Sequence, residues 1–163
     1  MIAVRPAGVE DSEAINEIYN WYVDNTIITF DVDPWDIERR RQWVGSIKNP
    51  FHLLVAEDEN GIVGFACNTR FRPKAAYDSS TEVTIYIKHG NTTKGVGQLL
   101  YDALFLSASK THLHRAYAVI ALPNDVSVRF HEKYGFKKIG VLSEVGKKFG
   151  KYVDTAWYEK SLT

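Results

Sequence analysis

The spacing of apolar residues in the first third of the chain predicts one strand and two helices. Residues 2 to 5 form a short apolar run that predicts a strand, which Pro6 and Gly8 then end. Apolar side chains recur at helical spacing from about residue 11 to Asn25 and predict an amphipathic helix. Asp33 followed by Pro34 predicts the start of a second helix, which continues to Asn49-Pro50 after a loop over residues 26 to 33.

The middle of the chain has the shorter period of β-strands. Residues 52 to 57 and 62 to 69 are β-rich runs, and the turn between them contains Asn60-Gly61, a pair that favours hairpins. Apolar and polar residues then alternate strictly from Glu82 to Ile87. These runs predict an antiparallel hairpin followed by a third strand.

The last part of the chain alternates between helical and strand patterns. A helix is predicted from Val96 to about Thr111, a buried strand over residues 116 to 122, and a helix that starts at Asn124 or Asp125. Gly135 ends that helix, and strands are predicted over residues 137 to 145 and 152 to 159. The complete order, β-α-α-β-β-β-α-β-α-β-β, predicts an α/β fold with a mixed sheet and helices on its faces.

Composition and charge narrow the class of protein. A length of 163 residues with 45% apolar and 25% charged residues predicts a single folded domain, 1–163. Twenty basic residues balance twenty acidic ones, which argues against a nucleic-acid partner. Without an apolar leader or a spanning segment we expect a cytoplasmic protein with no membrane partner. The only cysteine is Cys67, so a disulfide within the chain and a cysteine-based zinc site are excluded, and we expect no metal.

A glycine loop between the strand at Glu82 and the next helix is the first candidate site. Gly90-Asn-Thr-Thr-Lys-Gly-Val-Gly97 precedes a helix, whose N-terminal N–H groups can hold phosphate oxygens. A Walker A loop needs Lys-Ser/Thr where Val96 and Gly97 stand, and a Rossmann fingerprint needs glycine in place of Leu100. The alternative interpretation is a plain tight turn.

Three further residues are candidates for chemistry. Glu82 begins an apolar strand, and partial burial would raise its pKa towards that of a general base; the alternative is an exposed edge glutamate. His131 borders the apolar face of its helix and is either an acid–base group or a hydrogen-bonded core histidine. Cys67 is a conceivable nucleophile, but its apolar neighbours favour inert packing.

Two runs of basic residues are interpreted as solvated surface. Arg39, Arg40 and Arg41 stand beside acidic residues on the second predicted helix. Lys147, Lys148 and Lys151 near the C-terminus receive the same interpretation.

Together these segments resemble the GNAT superfamily of acetyl-coenzyme A dependent N-acetyltransferases, and the resemblance covers nearly the whole chain. Within that superfamily the chain resembles the phosphinothricin and methionine sulfone or sulfoximine N-acetyltransferases. The segments that carry the resemblance are Ile18-Tyr19-Asn20, Thr26 to Phe30, Ala76-Tyr77-Asp78, Glu82 to Ile87, Val119 to Ser127 and His131 to Phe136.

The resemblance implies acetyl-CoA as co-substrate, an amino-acid substrate and a homodimer. It implies that Glu82 helps to deprotonate the substrate amine, and that His131 replaces the tyrosine acid of many relatives. The chain departs from the family at Thr92, where Gln or Arg usually begins the glycine loop; binding through backbone N–H groups should survive this change. The implied coenzyme-binding residues are Ile85, Tyr86, Ile87, Thr93, Lys94, Gly95, Val96, Gly97, Gln98, Asn124 and Ser127, and the implied substrate-binding residues are Phe30, Arg72, Lys74, Tyr77 and Glu82.

The expected function is direct acetylation of the α-amino group of a small amino acid such as phosphinothricin, methionine sulfoximine or methionine sulfone. Arg72 and Lys74 would bind its anionic or oxo groups and repel polyamines; the alternative is that both side chains simply point to solvent. Three alternatives stay open: another small amine, an acyl-enzyme on Cys67, and a non-catalytic protein that binds acetyl-CoA.

Overall fold

All seven strands lie in one mixed sheet. The computed structural model describes residues Met1–Thr163. The sheet has the order β1-β2-β3-β4-β5-β7-β6, and only the β4–β5 pair is parallel. The strands are β1 (Ala3–Pro6), β2 (Leu53–Asp58), β3 (Gly61–Arg70), β4 (Ser80–Ile87), β5 (Arg115–Ala121), β6 (Lys137–Lys148) and β7 (Lys151–Ser161).

Four helices cover the two faces of this sheet, and the element order confirms the predicted one. They are α1 (Ser12–Asn25), α2 (Ile37–Ser46), α3 (Val96–Ala108) and α4 (Asp125–Lys133). None of them is long and apolar enough to cross a membrane.

The predicted start of the second helix is wrong by one short turn. Asp36, not Asp33, is the N-cap of α2, and its carboxylate accepts a hydrogen bond of 2.8 Å from the Arg39 N–H. Pro34 therefore lies in the preceding irregular segment. Several Asp residues stand close together here, and the sequence pattern does not show which carboxylate reaches the free N–H groups of the helix.

Two hydrophobic cores lie on opposite faces of the sheet. Alternate residues of β4 divide between them, with Val83 in the larger core and Tyr86 in the smaller one. The larger core also contains Leu100 and Leu104 of α3, while the smaller one contains Ile15 of α1. Glu82 and Thr84 alternate in step with Tyr86 and consequently share their face with α1 and α2.

The sheet opens in its centre. Parallel pairing of β4 with β5 covers only Ser80–Arg115, Thr81–Ala116 and Glu82–Tyr117. Beyond Glu82 the two strands continue without pairing to Ile87 and Ala121. Backbone groups of both strands are therefore free to bind a ligand at this opening.

Candidate active site

The opening between β4 and β5 leads into a cavity of about 290 Å³. Its volume is close to the lower limit for small-molecule sites. The cavity is bounded by both strands, the start of α4 and the loop after α1. Its lining residues include Thr29, Phe30, Glu82, Ile85, Tyr86, Tyr101, Val119, Asn124, Ser127 and His131.

Glu82 lies at the last paired position before the strands separate. Its partners across the sheet are Thr69 on β3 and Tyr117 on β5. Partial burial raises the pKa of the Glu82 carboxyl above its ordinary value, and the positive charge of Arg72 opposes this rise. A carboxylate with a raised pKa beside a cavity is suited to accept a proton.

His131 is buried and held at both ring nitrogens. Nδ1 lies 2.8 Å from the backbone oxygen of Ser127, and Nε2 lies 2.8 Å from the hydroxyl of Tyr101. Burial lowers the pKa of His131, so the neutral ring is favoured. Because a carbonyl oxygen can only accept, the proton of the neutral ring is on Nδ1, and Nε2 accepts from Tyr101.

The glycine loop ends at a helix with no side-chain cap. Gly95 has φ +82°, which glycine adopts without strain, and the first bond of α3 runs from the Leu99 N–H to its carbonyl. The N–H groups of Val96, Gly97 and Gln98 therefore have no acceptor inside the helix. Thr93, Lys94 and Gly95 are exposed in front of them. This geometry fits the phosphates of a nucleotide-containing coenzyme.

Unlike α3, helix α4 has a side-chain cap at its N-terminus. The Asn124 side chain accepts a 3.2 Å hydrogen bond from the Ser127 N–H and so caps this helix. Both residues line the cavity, where the amide nitrogen of Asn124 is still available as a donor.

The predicted site residues fall into three groups. Those that line the cavity are Phe30, Glu82, Ile85, Tyr86, Asn124, Ser127 and His131. Those at or near the glycine loop are Ile87, Thr93, Lys94, Gly95, Val96, Gly97 and Gln98. Those on the exposed segment between β3 and β4 are Arg72, Lys74 and Tyr77.

The residues of the exposed segment and of the glycine loop differ in their contacts with the cavity and its neighbours. Arg72 is close enough to Glu82 to influence its pKa, and its guanidinium lies over Phe71 and Trp157 at 5.3 and 5.8 Å. Lys74 and Tyr77 are exposed and do not line the cavity. A Cβ on Gly97 would lie 3.3 Å from the ring of Phe130, so this glycine also permits close packing of α3 on α4.

Two basic residues predicted on the solvated surface are buried instead. Arg40 is 2% exposed and Lys148 is 3% exposed. The ammonium group of Lys148 donates to the backbone oxygen of Thr29 at 2.9 Å, and thereby fixes the loop that borders the cavity. Arg40 precedes the buried Val44 by four positions, so both lie on the same face of α2. This spacing could have predicted the burial of Arg40, but the run of three arginines favoured a solvated surface.

Sequence reasoning also missed Tyr101 and a second cavity. Tyr101 is fully buried on α3, where its spacing indicates only a core position. The second cavity, of about 350 Å³, lies between β3, β4, α1 and α2. It shares Glu82, Thr84 and Tyr86 with the first cavity.

Comparison with known proteins decides the family. Residues 4–157 match the model of the acetyltransferase (GNAT) domain. This chain belongs to the GNAT family. It is therefore an acetyltransferase with the fold predicted from its sequence.

Individual GNAT relatives match over nearly the full length. The chain is 44% identical to a phosphinothricin N-acetyltransferase of Streptomyces coelicolor, over 99% of this chain and 96% of that protein. It is 32% identical to an L-methionine sulfoximine/L-methionine sulfone acetyltransferase of Pseudomonas aeruginosa, over 98% of this chain and 94% of that one.

A solved structure shows the same fold with a coenzyme. The GNAT phosphinothricin acetyltransferase of Sinorhizobium meliloti, crystallised in complex with acetyl-CoA, superposes with a TM-score of 0.92 at 28% identity. The match covers 98% of this chain and 88% of that one.

Proposed function

We propose that this GNAT protein transfers an acetyl group from acetyl-CoA directly to the α-amino group of a small amino acid. Phosphinothricin, methionine sulfoximine and methionine sulfone are the proposed acceptors. The observation that carries the proposal is the position of Glu82, half-buried where β4 and β5 separate and close to the positive charge of Arg72. Relatives named for these same amino acids support the choice of acceptor.

The chain offers acetyl-CoA two matching features. The uncapped N-terminus of α3 presents the N–H groups of Val96, Gly97 and Gln98 to the pyrophosphate, with Thr93 and Lys94 beside them. The unpaired edges of β4 and β5 offer backbone groups to the amide-containing arm, and an unpaired amide is suited to the thioester oxygen. When bound, acetyl-CoA supplies the thioester carbon that the amine attacks.

Glu82 and His131 share the proton transfers in this proposal. The amine must be neutral to attack, and the Glu82 carboxylate takes its proton. In the tautomer assigned from its two contacts, Nε2 of His131 has a lone pair and no proton, so it first takes up a proton from water through the Tyr101 hydroxyl. His131 can then return that proton through the same hydroxyl to the departing thiolate.

The charges near Glu82 favour an acidic or oxo-bearing acceptor over a polyamine. Arg72 can bind a carboxylate through two parallel N–H donors, whereas a second ammonium group would be repelled. Lys74 adds positive charge on the same exposed segment, which also contains Tyr77, and Phe30 is an accessible side chain in the cavity wall.

A transfer through Cys67 is disfavoured. The thiol is 3% exposed, and burial raises its pKa to about 12, so the nucleophilic thiolate is scarce at neutral pH. Cys67→Ala is therefore expected to remain active with sequential kinetics.

A substrate panel tests the proposal. Purified protein and acetyl-CoA are incubated with phosphinothricin, methionine sulfoximine, methionine sulfone or spermidine, and release of free thiol is measured. The three amino acids are expected to be far better acceptors than spermidine, with the acetyl group on the α-nitrogen by mass spectrometry. A preference for spermidine would indicate a GNAT enzyme for other amines, and binding of acetyl-CoA without any transfer would indicate a non-catalytic protein.

We also propose that two copies associate through strand β6. This strand lies at the edge of the sheet, and Ile139, Val141, Leu142 and Val145 are at least 40% exposed along it. Several exposed apolar side chains along one edge strand favour an interface. Analytical ultracentrifugation should give a mass of twice 18.5 kDa, and Val141→Lys should give monomers.

A further inference from the structure

The second cavity contains a positive charge that the proposed reaction has not used. Tyr19, Trp35, Trp43 and Phe65 form its aromatic walls, and Arg40 lies among them. Glu82 belongs to the walls of both cavities, so a molecule whose amine reaches Glu82 can extend into either one.

Arg40 is enclosed by rings and has too few hydrogen-bond acceptors. Its guanidinium carbon lies 3.9 Å from the ring centre of Trp35, 4.6 Å from that of Tyr19 and 4.8 Å from that of Trp43. In the side chain only Nε donates to the protein, to Oδ1 of Asn16 at 3.1 Å. Nη2 is buried and has no partner at all.

No carboxylate forms an ion pair with this cation. The negative charge of Asp31 acts on it only from a distance, and Oδ2 of Asp31 accepts instead from Trp35 Nε1 at 3.0 Å and from the hydroxyl of Tyr19. Burial lowers the pKa of Arg40 to about 10, which still leaves it charged at neutral pH. A buried cation that serves packing alone is usually paired, and this one is not.

We propose that Arg40 binds the oxygen-bearing end of the acceptor's side chain, a phosphinate or sulfone group, while the acceptor's amine lies at Glu82. The inference rests on the proposed function and names a second subsite for the same acceptor. The free guanidinium N–H groups match the oxygens, and the aromatic walls match the methyl and methylene groups beside them. Arg72 then holds the α-carboxylate at the outer end.

Binding of dimethylphosphinate tests this subsite without any turnover. This small anion contains the head group and has no amine, and Trp35 and Trp43 beside Arg40 report its arrival by fluorescence. Arg40→Gln is expected to weaken binding at least about tenfold, the loss expected for charge-assisted hydrogen bonds. Arg41→Gln is the matched control, because it removes a charge from the same helix at a side chain that pairs with Glu38 outside the cavity.

Kinetics separate the subsite from the proposed function. Arg40→Gln should raise KM for methionine sulfone about tenfold or more and leave KM for acetyl-CoA unchanged. If the wild type acetylates none of the amino acids, the proposed function fails, and the dimethylphosphinate titration still decides about Arg40. If the wild type is active and Arg40→Gln changes neither KM nor dimethylphosphinate binding, the subsite is wrong.

A second variant covers the case in which Arg40→Gln does not fold. Thr69 lines the same cavity, so Thr69→Leu fills part of it while Arg40 stays in place. We expect this variant to lose dimethylphosphinate binding about tenfold and Thr69→Ser to keep it. Unchanged binding by Thr69→Leu would overturn the proposal.

Discussion

The hydroxyl of Tyr101 lies 2.8 Å from Nε2 of His131, and both side chains are buried beside the cleft between β4 and β5. The hydrogen bond of Nδ1 to the Ser127 carbonyl fixes the tautomer, so Tyr101 is the donor. Any proton that Nε2 exchanges with the cavity on this side passes through the Tyr101 hydroxyl. In the proposed reaction Tyr101 is therefore a positioning and relay group for the histidine.

The first prediction concerns this hydroxyl. Tyr101→Phe should lower kcat about 10²-fold, the lower end for a group that takes part in proton transfer. KM for acetyl-CoA should change little, because the ring remains in the core. Tyr134→Phe is the matched control, since its hydroxyl bonds to Asp102 at 3.0 Å and does not line the cavity. Equal losses of kcat in both variants would contradict a relay through Tyr101.

The second prediction concerns the pH dependence of Glu82. The positive charge of Arg72 lowers the pKa of Glu82, so Arg72→Ala should raise it. Since the base must be ionised, the acid limb of kcat/KM should move to higher pH, and KM for the amino acid should increase. Lys110→Ala removes an exposed charge beyond α3 and should leave the limb in place. If the acid limb of the kcat/KM profile does not move in Arg72→Ala, Arg72 does not influence the pKa of Glu82.

The third prediction concerns stability and His131. Burial lowers the pKa of His131 in the folded protein, so the unfolded chain binds more protons just below the ordinary histidine pKa. The histidine therefore makes folding less favourable as pH falls through this window. Urea unfolding at about pH 7.5 and about pH 5.5 should show a smaller loss in His131→Gln than in the wild type. His112→Gln, at an exposed position, is the control and should follow the wild type.

The sequence could predict those site residues whose role is defined by their neighbours along the chain. The glycine loop is defined by neighbouring residues, and Glu82 by the start of an alternating strand, so both could be located before the structure. The role of Tyr101 depends on His131 of α4 and the environment of Arg40 depends on Tyr19 of α1, and each of these contacts joins separate segments of the chain. The fold followed from period and turn residues because these are also local, while the N-cap of α2 depended on which of three nearby aspartates meets the helix.

The fourth prediction concerns the glycine loop. Lys94→Glu places a negative charge in front of the free N–H groups of α3 and should weaken binding of coenzyme A about tenfold by calorimetry. The loss should shrink in about 0.5 M salt, because the charge is exposed. This variant is a cleaner test than Gly97→Asp, whose Cβ would press on Phe130 and disturb the packing of α3 on α4. Lys110→Glu, at the opposite end of α3, should bind coenzyme A like the wild type.

The most direct test of the account is kcat/KM for methionine sulfone in the wild type and in Glu82→Gln. Glutamine keeps the size of the side chain and cannot take the amine's proton. The account predicts a fall of about 10²–10⁴-fold at neutral pH with unchanged affinity for acetyl-CoA, and a smaller fall at high pH, where the free amine is already neutral. A Glu82→Gln enzyme with the kcat/KM and pH profile of the wild type would contradict it.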